Sequence, residues 1–94
     1  MCYTYVMESI HQPIVLSVHA SEQAQRRGAE ESEIREVIHT TPWKPAELGR
    51  LECQQDRVFN AVWNGVGYKT KRIRPIFVEE GGRIVVITVY VYYF

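Results

Sequence analysis

The last eleven residues, Ile84 to Phe94, constrain the fold of this chain more than any other segment. They form its longest apolar stretch, which is too short for a membrane-spanning helix of about 20 residues. Their β-branched and aromatic side chains favour a central strand instead, and alternation predicts the face that each side chain occupies. The odd positions, predicted to pack against helices, are Val85, Ile87, Val89 and Val91. The even positions, predicted to face solvent, are Thr88, Tyr90 and Tyr92.

Two further strands are predicted before this one, at Leu51 to Trp63 and at Tyr68 to Glu79. Asn64-Gly65 between them is a hairpin signal, and residues 80–83 have the composition of a tight turn. Pro75 interrupts the second strand, and proline in a sheet indicates a bulge or an edge. The C-terminal half therefore predicts a mostly antiparallel sheet.

The N-terminal half predicts a short β-like run at Ile14 to Val18, followed by two helices. The first helix spans His19 to Arg27 and ends at Gly28, the residue type that most often terminates a helix. The second begins near residues 30–32 with glutamates in its first turn. Its apolar face is Ile34, Val37 and Ile38. The predicted fold class is α+β, with both helices on one face of the sheet; residues 1–12 are predicted to form an irregular, flexible arm, and residues 43–49 a loop.

Length and composition set the class of protein. Ninety-four residues make a single domain, which buries only roughly 60–65% of its unfolded surface and gains from a partner. A hydrophobic content of 46% excludes a disordered chain. Cys2 and Cys53 form neither a disulfide framework nor a zinc motif. No signal peptide or cofactor motif is visible, so we expect a cytoplasmic protein without a metal, an organic cofactor or a membrane partner.

Basic residues are concentrated in the second half of the chain. Residues 1–49 carry four basic and seven acidic side chains, and residues 50–94 carry seven basic and four acidic ones. Four of the cations fall within six residues of the second predicted strand: Lys69, Lys71, Arg72 and Arg74. This density is typical of phosphate-backbone binding. The alternative is a solvated edge strand protected by charge.

The first helix carries a polar stripe. His19, Gln23 and Arg27 follow one another at intervals of four residues, so they share one side of the helix. Histidine is the usual proton carrier near neutral pH, and arginine holds phosphates well. The alternative is that His19 is an exposed or capping residue and that Arg27 complements the helix dipole. The hydroxyl-bearing side chains on the last strand also have two interpretations. They stack on nucleic-acid bases, or they pack against side chains of the neighbouring strand.

The chain resembles domain of unknown function family 4258 over about residues 14–92. The N-terminal motif is His19-Ala20, Gln23 and Arg27-Gly28, where members typically read HAxxRxxxRG followed by Ile-Ser. Gln23 replaces the first arginine of that pattern, and Ala29-Glu30 replace Ile-Ser. The C-terminal motifs are Tyr68-x-x-Lys71-x-Ile73, Ile76-Phe77-Val78-Glu79-Glu80 and residues 84–90.

The resemblance implies a RelE-like fold, because the family is grouped with RelE/ParE/BrnT-like toxins, a class of metal-independent ribonucleases. It implies an active surface on the concave face of the sheet. RNA and a cognate antitoxin protein are the implied partners, and a homo-oligomer remains open.

Two functional hypotheses follow. The first is a toxin-like endoribonuclease (an mRNA interferase of a toxin–antitoxin pair), which cuts RNA by attack of the 2′-hydroxyl on the adjacent phosphorus. Its catalytic candidates are His19, Arg27 and Tyr90. Its RNA-binding candidates are Lys69, Lys71, Arg72, Arg74, Thr88 and Tyr92. The second hypothesis is a non-catalytic RNA- or protein-binding module of the same fold, which the net charge of zero favours.

Overall fold

A computed structural model describes residues 12–94, so most of the predicted N-terminal arm lies outside the described residues. The elements in chain order are β1 Ile14–Leu16, α1 Val18–Arg27, α2 Glu31–Thr40, β2 Lys44–Pro45, a 3-10 turn Glu47–Gly49, β3 Leu51–Glu52, β4 Gln55–Trp63, β5 Val66–Glu80 and β6 Arg83–Tyr93. None of the helices in this range is long and apolar enough to cross a membrane. The architecture is α+β, as predicted.

The six described strands form one mixed sheet in the order β1-β6-β5-β3-β2, and β4 pairs with β5 farther along that strand. Only the β1–β6 pair is parallel. The apolar face of α2 is fully buried, with Ile34 and Val37 at 0% exposure. It shares one core with Ile73 and Phe77 of β5. Both helices therefore pack on the core that the long β5–β6 pair supports.

The end of α1 and the start of α2 follow the sequence signals, but the start of α1 does not: the predicted β-like run extends to Val18, whereas Ser17 caps the helix and Val18 begins it. The Ser17 hydroxyl accepts a hydrogen bond from the Ala20 N–H at 3.1 Å and caps α1. Gly28 ends α1 in the left-handed conformation, with φ +82°. Glu30 and Glu33 form a reciprocal capping box at the start of α2. These local bonds fix where α1 stops and therefore where Arg27 lies against the sheet.

The predicted face pattern of β6 is wrong in its first half. Ile84 and Val86 are buried in the core, whereas Val85 and Ile87 are only half-buried. The reason is a bulge in the β5–β6 register: Ile76 pairs with Thr88 but Phe77 pairs with Val86. The extra residue, Ile87, shifts the alternation by one position. Beyond the bulge the prediction is correct: Val89 is fully buried, and Tyr90 and Tyr92 are exposed.

The single strand predicted at Leu51 to Trp63 is two strands, β3 and β4, separated by Cys53 and Gln54. Pro75 of β5 lies opposite this break, since β3 pairs with residues 76–77 and β4 pairs only as far as Ile73. Pro75 is fully buried inside the sheet and is not at an edge. A proline without an N–H donor fits there because the partner strand is interrupted and the β5–β6 bulge follows at once. The predicted loop at residues 43–49 contains β2 and the 3-10 turn.

Candidate nucleic-acid interface

Arginine and tyrosine side chains pair across β5 and β6. Arg74 is opposite Tyr90, and Arg72 is opposite Tyr92. The two tyrosine rings are nearly parallel, with an interplanar angle of 14° and centroids 6.4 Å apart. Their exposed fractions are 37% and 42%. We call these four residues the open-face ladder; it presents aromatic surface beside fixed positive charge.

Arg27 reaches this ladder from α1. Its Nη1 donates a hydrogen bond to the Val89 carbonyl at 2.9 Å, and its Cζ lies 5.7 Å from the Tyr90 ring centroid. Arg74 Cζ lies 5.5 Å from the same centroid. Gln23, one turn before Arg27, accepts from the Val89 N–H at 3.0 Å. Two members of the predicted polar stripe, Gln23 and Arg27, therefore bond the backbone of β6 at Val89, and two guanidinium groups lie at the Tyr90 ring.

Both ladder arginines are bound to carboxylates. Arg72 makes two hydrogen bonds to Asp56, at 2.6 and 3.0 Å, and Arg74 lies 2.6 Å from Glu52 Oε1. The bond from Arg72 holds the pKa of Asp56 below its usual value. The Glu52 carboxylate raises the pKa of Arg74 further above its usual value. On the open face, each ladder arginine is therefore paired with a carboxylate, which balances its charge and orients its guanidinium group.

A groove of about 510 Å³ adjoins the ladder. Thr88, Tyr90 and Arg74 line it from the sheet, and residues 45–48 and Arg50 line it from the segment that contains β2 and the 3-10 turn. Glu52 also lines it, with a side chain only 13% exposed. The groove thus holds an arginine, a phenol and a carboxylate, the groups that acid–base chemistry on a phosphodiester requires.

The wall of the groove contains a strained residue, which we call the rim leucine. Leu48 has φ +61° and ψ +32° in the middle of the 3-10 turn, and 84% of its surface is exposed. A left-handed conformation costs a residue with a side chain about 1–2 kcal/mol. The turn is closed by hydrogen bonds from Ala46 N–H to Arg50 O at 2.8 Å and from Arg50 N–H to Glu47 O at 3.2 Å. These bonds hold the turn in this conformation.

Three predicted site residues belong neither to this groove nor to the ladder and the Arg27 contact beside it. His19 is exposed in the first turn of α1, and about 12 Å of helix axis separates it from Arg27. Lys69 is exposed on β5. Lys71 is buried: its ammonium donates to Gly28 O at 2.6 Å and to Glu33 at 2.9 Å. Phosphate binding by Lys71 is not supported, because its donors already satisfy the end of α1 and a carboxylate of α2.

The Lys71 pair also sets the ionisation of its partner. Burial alone would raise the pKa of Glu33, but the Glu30 N–H and then Lys71 outweigh it, so the pKa lies below its usual value. Beside the pair, Tyr93 donates its hydroxyl to Arg27 O at 2.7 Å and stacks on Trp63 at 5.0 Å. On the helix side of the sheet, these contacts therefore stabilise the fold, and they are separate from the open face.

Sequence reasoning missed Asp56, Glu52 and the rim leucine. Asp56 lies directly opposite Arg72 in the β4–β5 register. Counting back from the Asn64-Gly65 turn would place Arg57 there instead, because a bulge between Val58 and Ala61 shifts the register by one residue. Predicting the position of Glu52 would have required knowing that the strand breaks between β3 and β4. The sequence signal for the left-handed conformation at Leu48 is weak and consists of the Gly49 that follows it. The described residues contain no group of three or more His, Cys, Asp or Glu side chains placed to hold a metal ion.

Comparisons with protein-family models, with curated proteins and with solved structures find no match to this chain.

Proposed function

We propose that this chain is a toxin-like endoribonuclease, with a RelE-like fold, that cuts RNA by attack of the 2′-hydroxyl on the adjacent phosphorus. The observation that carries the proposal is the environment of Tyr90: an exposed phenol with two guanidinium groups within 6 Å of its ring centroid, at a groove that contains a carboxylate. The resemblance to domain of unknown function family 4258 supports the same reaction class.

The residues of the groove, of the ladder and of the Arg27 contact have roles that follow from their chemistry. Arg74 and Arg27 bind the phosphate and stabilise the charge that develops on it. Tyr90 donates the proton that the leaving 5′-oxygen needs. Glu52, which accepts from Arg74 at 2.7 Å, is the general base in this proposal. Thr88 and Tyr92 contact the neighbouring nucleotides.

His19 remains a second candidate for the base. It belongs to the helix that supplies Arg27, and the family motif includes it. It lies about 12 Å along the helix axis from Arg27, so in this proposal the two residues would serve different nucleotides. Comparing His19 with Glu52 therefore decides which end of the open face holds the reacting 2′-hydroxyl.

The experiment is incubation of the purified chain with total RNA in the presence of EDTA, with cleavage followed by primer extension. Tyr90→Phe and Glu52→Gln are expected to lower the cleavage rate by roughly 10²–10⁴-fold each, the usual contribution of one general acid or base. His19→Gln is the comparison variant. Loss of cleavage in His19→Gln alone would move the reaction to the start of α1.

A non-catalytic RNA- or protein-binding module is the second candidate, and one observation favours it. Arg72 and Arg74 are both neutralised by carboxylates, which suits a surface that exchanges ion pairs with a partner. In the nuclease proposal that partner is a cognate antitoxin. Binding of RNA by a wild-type chain that never cleaves it would establish the module and remove the nuclease.

A further inference from the structure

We propose that the rim leucine and Tyr90 form the two walls of a slot for one unpaired nucleobase. This inference rests on the proposed function, because the slot places the base of the nucleotide whose phosphate Arg74 holds. Both residues line the groove of about 510 Å³, a volume within the range of roughly 300–1,000 Å³ that small-molecule sites have.

The conformation of Leu48 is the first observation. A leucine at φ +61° is strained, and its side chain gains nothing from burial because 84% of it is exposed. Glycine or asparagine would adopt this backbone at lower cost. Strained residues that the surrounding bonds hold in place are concentrated at ligand sites. The apolar side chain at this position is therefore explained by a contact that forms only when a ligand is bound.

The Tyr90 ring, which lines the same groove, is the second observation. Tyr90 presents a ring that is 37% exposed, with the Arg27 and Arg74 guanidinium groups 5.7 and 5.5 Å from its centroid. Aromatic rings bind bases through their π-faces, and an aliphatic side chain covers the opposite face of the base. The charges in the groove fit a nucleotide as well, since Arg74 and Arg50 serve the phosphate and lie beside these walls.

The geometry specifies the form of the RNA. In an A-form duplex the bases are stacked on one another and are accessible only at their edges. A slot between two side chains accepts a base only after it has left such a stack. The substrate class is therefore single-stranded RNA, and a duplex of the same sequence is bound only through its phosphates.

The test uses the full chain and a 2′-O-methyl oligonucleotide of mixed sequence, which binds but lacks the attacking hydroxyl. Binding is measured by fluorescence anisotropy for the single strand, for its duplex and for inorganic polyphosphate. Leu48→Asn keeps the left-handed backbone and removes the apolar surface, whereas Leu48→Met keeps the apolar surface. Val58→Ala is the control, because Val58 is 84% exposed as well but lies on β4 outside the groove.

We expect Leu48→Asn to weaken single-strand binding by roughly 5- to 30-fold and to leave polyphosphate binding unchanged. Leu48→Met and Val58→Ala should bind the single strand as the wild type does. Unchanged single-strand binding by Leu48→Asn, equal losses on polyphosphate, or a wild type that binds no oligonucleotide would each overturn the slot.

Cleavage is scored separately, so that the two proposals can fail independently. A wild type that cleaves RNA while Leu48→Asn binds normally removes the slot and leaves the nuclease. A wild type that never cleaves, but whose single-strand binding depends on Leu48 as described, removes the nuclease and leaves the slot.

Discussion

The ammonium group of Lys71 lies 2.9 Å from Glu33 Oε1, on the helix side of the sheet. Only 8% of the Lys71 side chain is exposed, so it joins β5 to α2 in the interior. Removing one partner of such a pair leaves the other with an unpaired charge. The cost is typically 3–5 kcal/mol for fully buried pairs, and it is smaller here because 24% of the Glu33 side chain is exposed to solvent.

We therefore expect Lys71→Ala to lower the free energy of unfolding by about 2–3 kcal/mol. Urea unfolding measures the change through the transition midpoint. Lys69→Ala is the matched control, because Lys69 is exposed on the same strand, and its effect should stay within about 0.5 kcal/mol. Equal effects of the two variants would show that the buried pair contributes nothing.

The same pair makes stability depend on pH. The pKa of Glu33 is lower in the folded chain than its usual value, so Glu33 contributes stability that is present above its unfolded pKa of about 4.3. That contribution is lost as the pH falls through the lower, folded pKa. Between pH 6 and pH 3 the urea midpoint of the wild type should fall more steeply than that of Glu33→Gln. Parallel curves for the two proteins would contradict the assignment.

Gly28 should be the least replaceable glycine of the described chain. It adopts φ +82°, and a Cβ built there lies 2.6 Å from the Tyr93 hydroxyl and 2.7 Å from the Trp63 ring. Backbone strain and overpacking together should make Gly28→Ala lower the free energy of unfolding by about 2–4 kcal/mol. Gly65→Ala separates the two causes, since Gly65 has φ +81° but nothing within 4 Å of its Cβ position. It should cost only about 1–2 kcal/mol. A Gly28→Ala effect no larger than that of Gly65→Ala would mean that Tyr93 and Trp63 move aside freely.

Signals that depend on neighbouring residues predicted the structure well. Gly28 ends α1, and Asn64-Gly65 joins β4 to β5. The prediction failed where a partner strand decides the geometry. Nothing in the alternation of residues 84–91 reveals the extra residue at Ile87, because the segment is apolar on both parities before Thr88.

The residues of the candidate site also fall into those that local sequence signals predict and those that only the fold brings together. Arg27, Arg72, Arg74, Tyr90 and Tyr92 come together on the open face, because the alternation is regular between the bulge and the end of β6. Lys71 has the opposite parity from Arg72 and Arg74, so its position on the other face also follows from alternation. Its burial does not, because that depends on how closely Gly28 and Glu33 approach β5. Glu52 reaches the groove through a break in its strand, which only the folded chain defines.

The pairing of Glu52 with Arg74 gives the last prediction, which concerns RNA binding at equilibrium. The Arg74 guanidinium is already paired with a carboxylate 2.6 Å away, so RNA must compete with Glu52 for it. Glu52→Gln removes the competing charge while keeping a hydrogen-bond acceptor, and it should tighten binding of a non-cleavable single strand. Arg74→Ala should weaken binding and reduce the slope of log affinity against log salt by about one unit, the change that removal of a single phosphate-binding cation produces. Lys71→Ala should leave that slope unchanged if the variant remains folded, because its ammonium is buried on the other face. A salt slope that changes with Lys71 but not with Arg74 would place the RNA on the helix side of the sheet and remove the groove from the site.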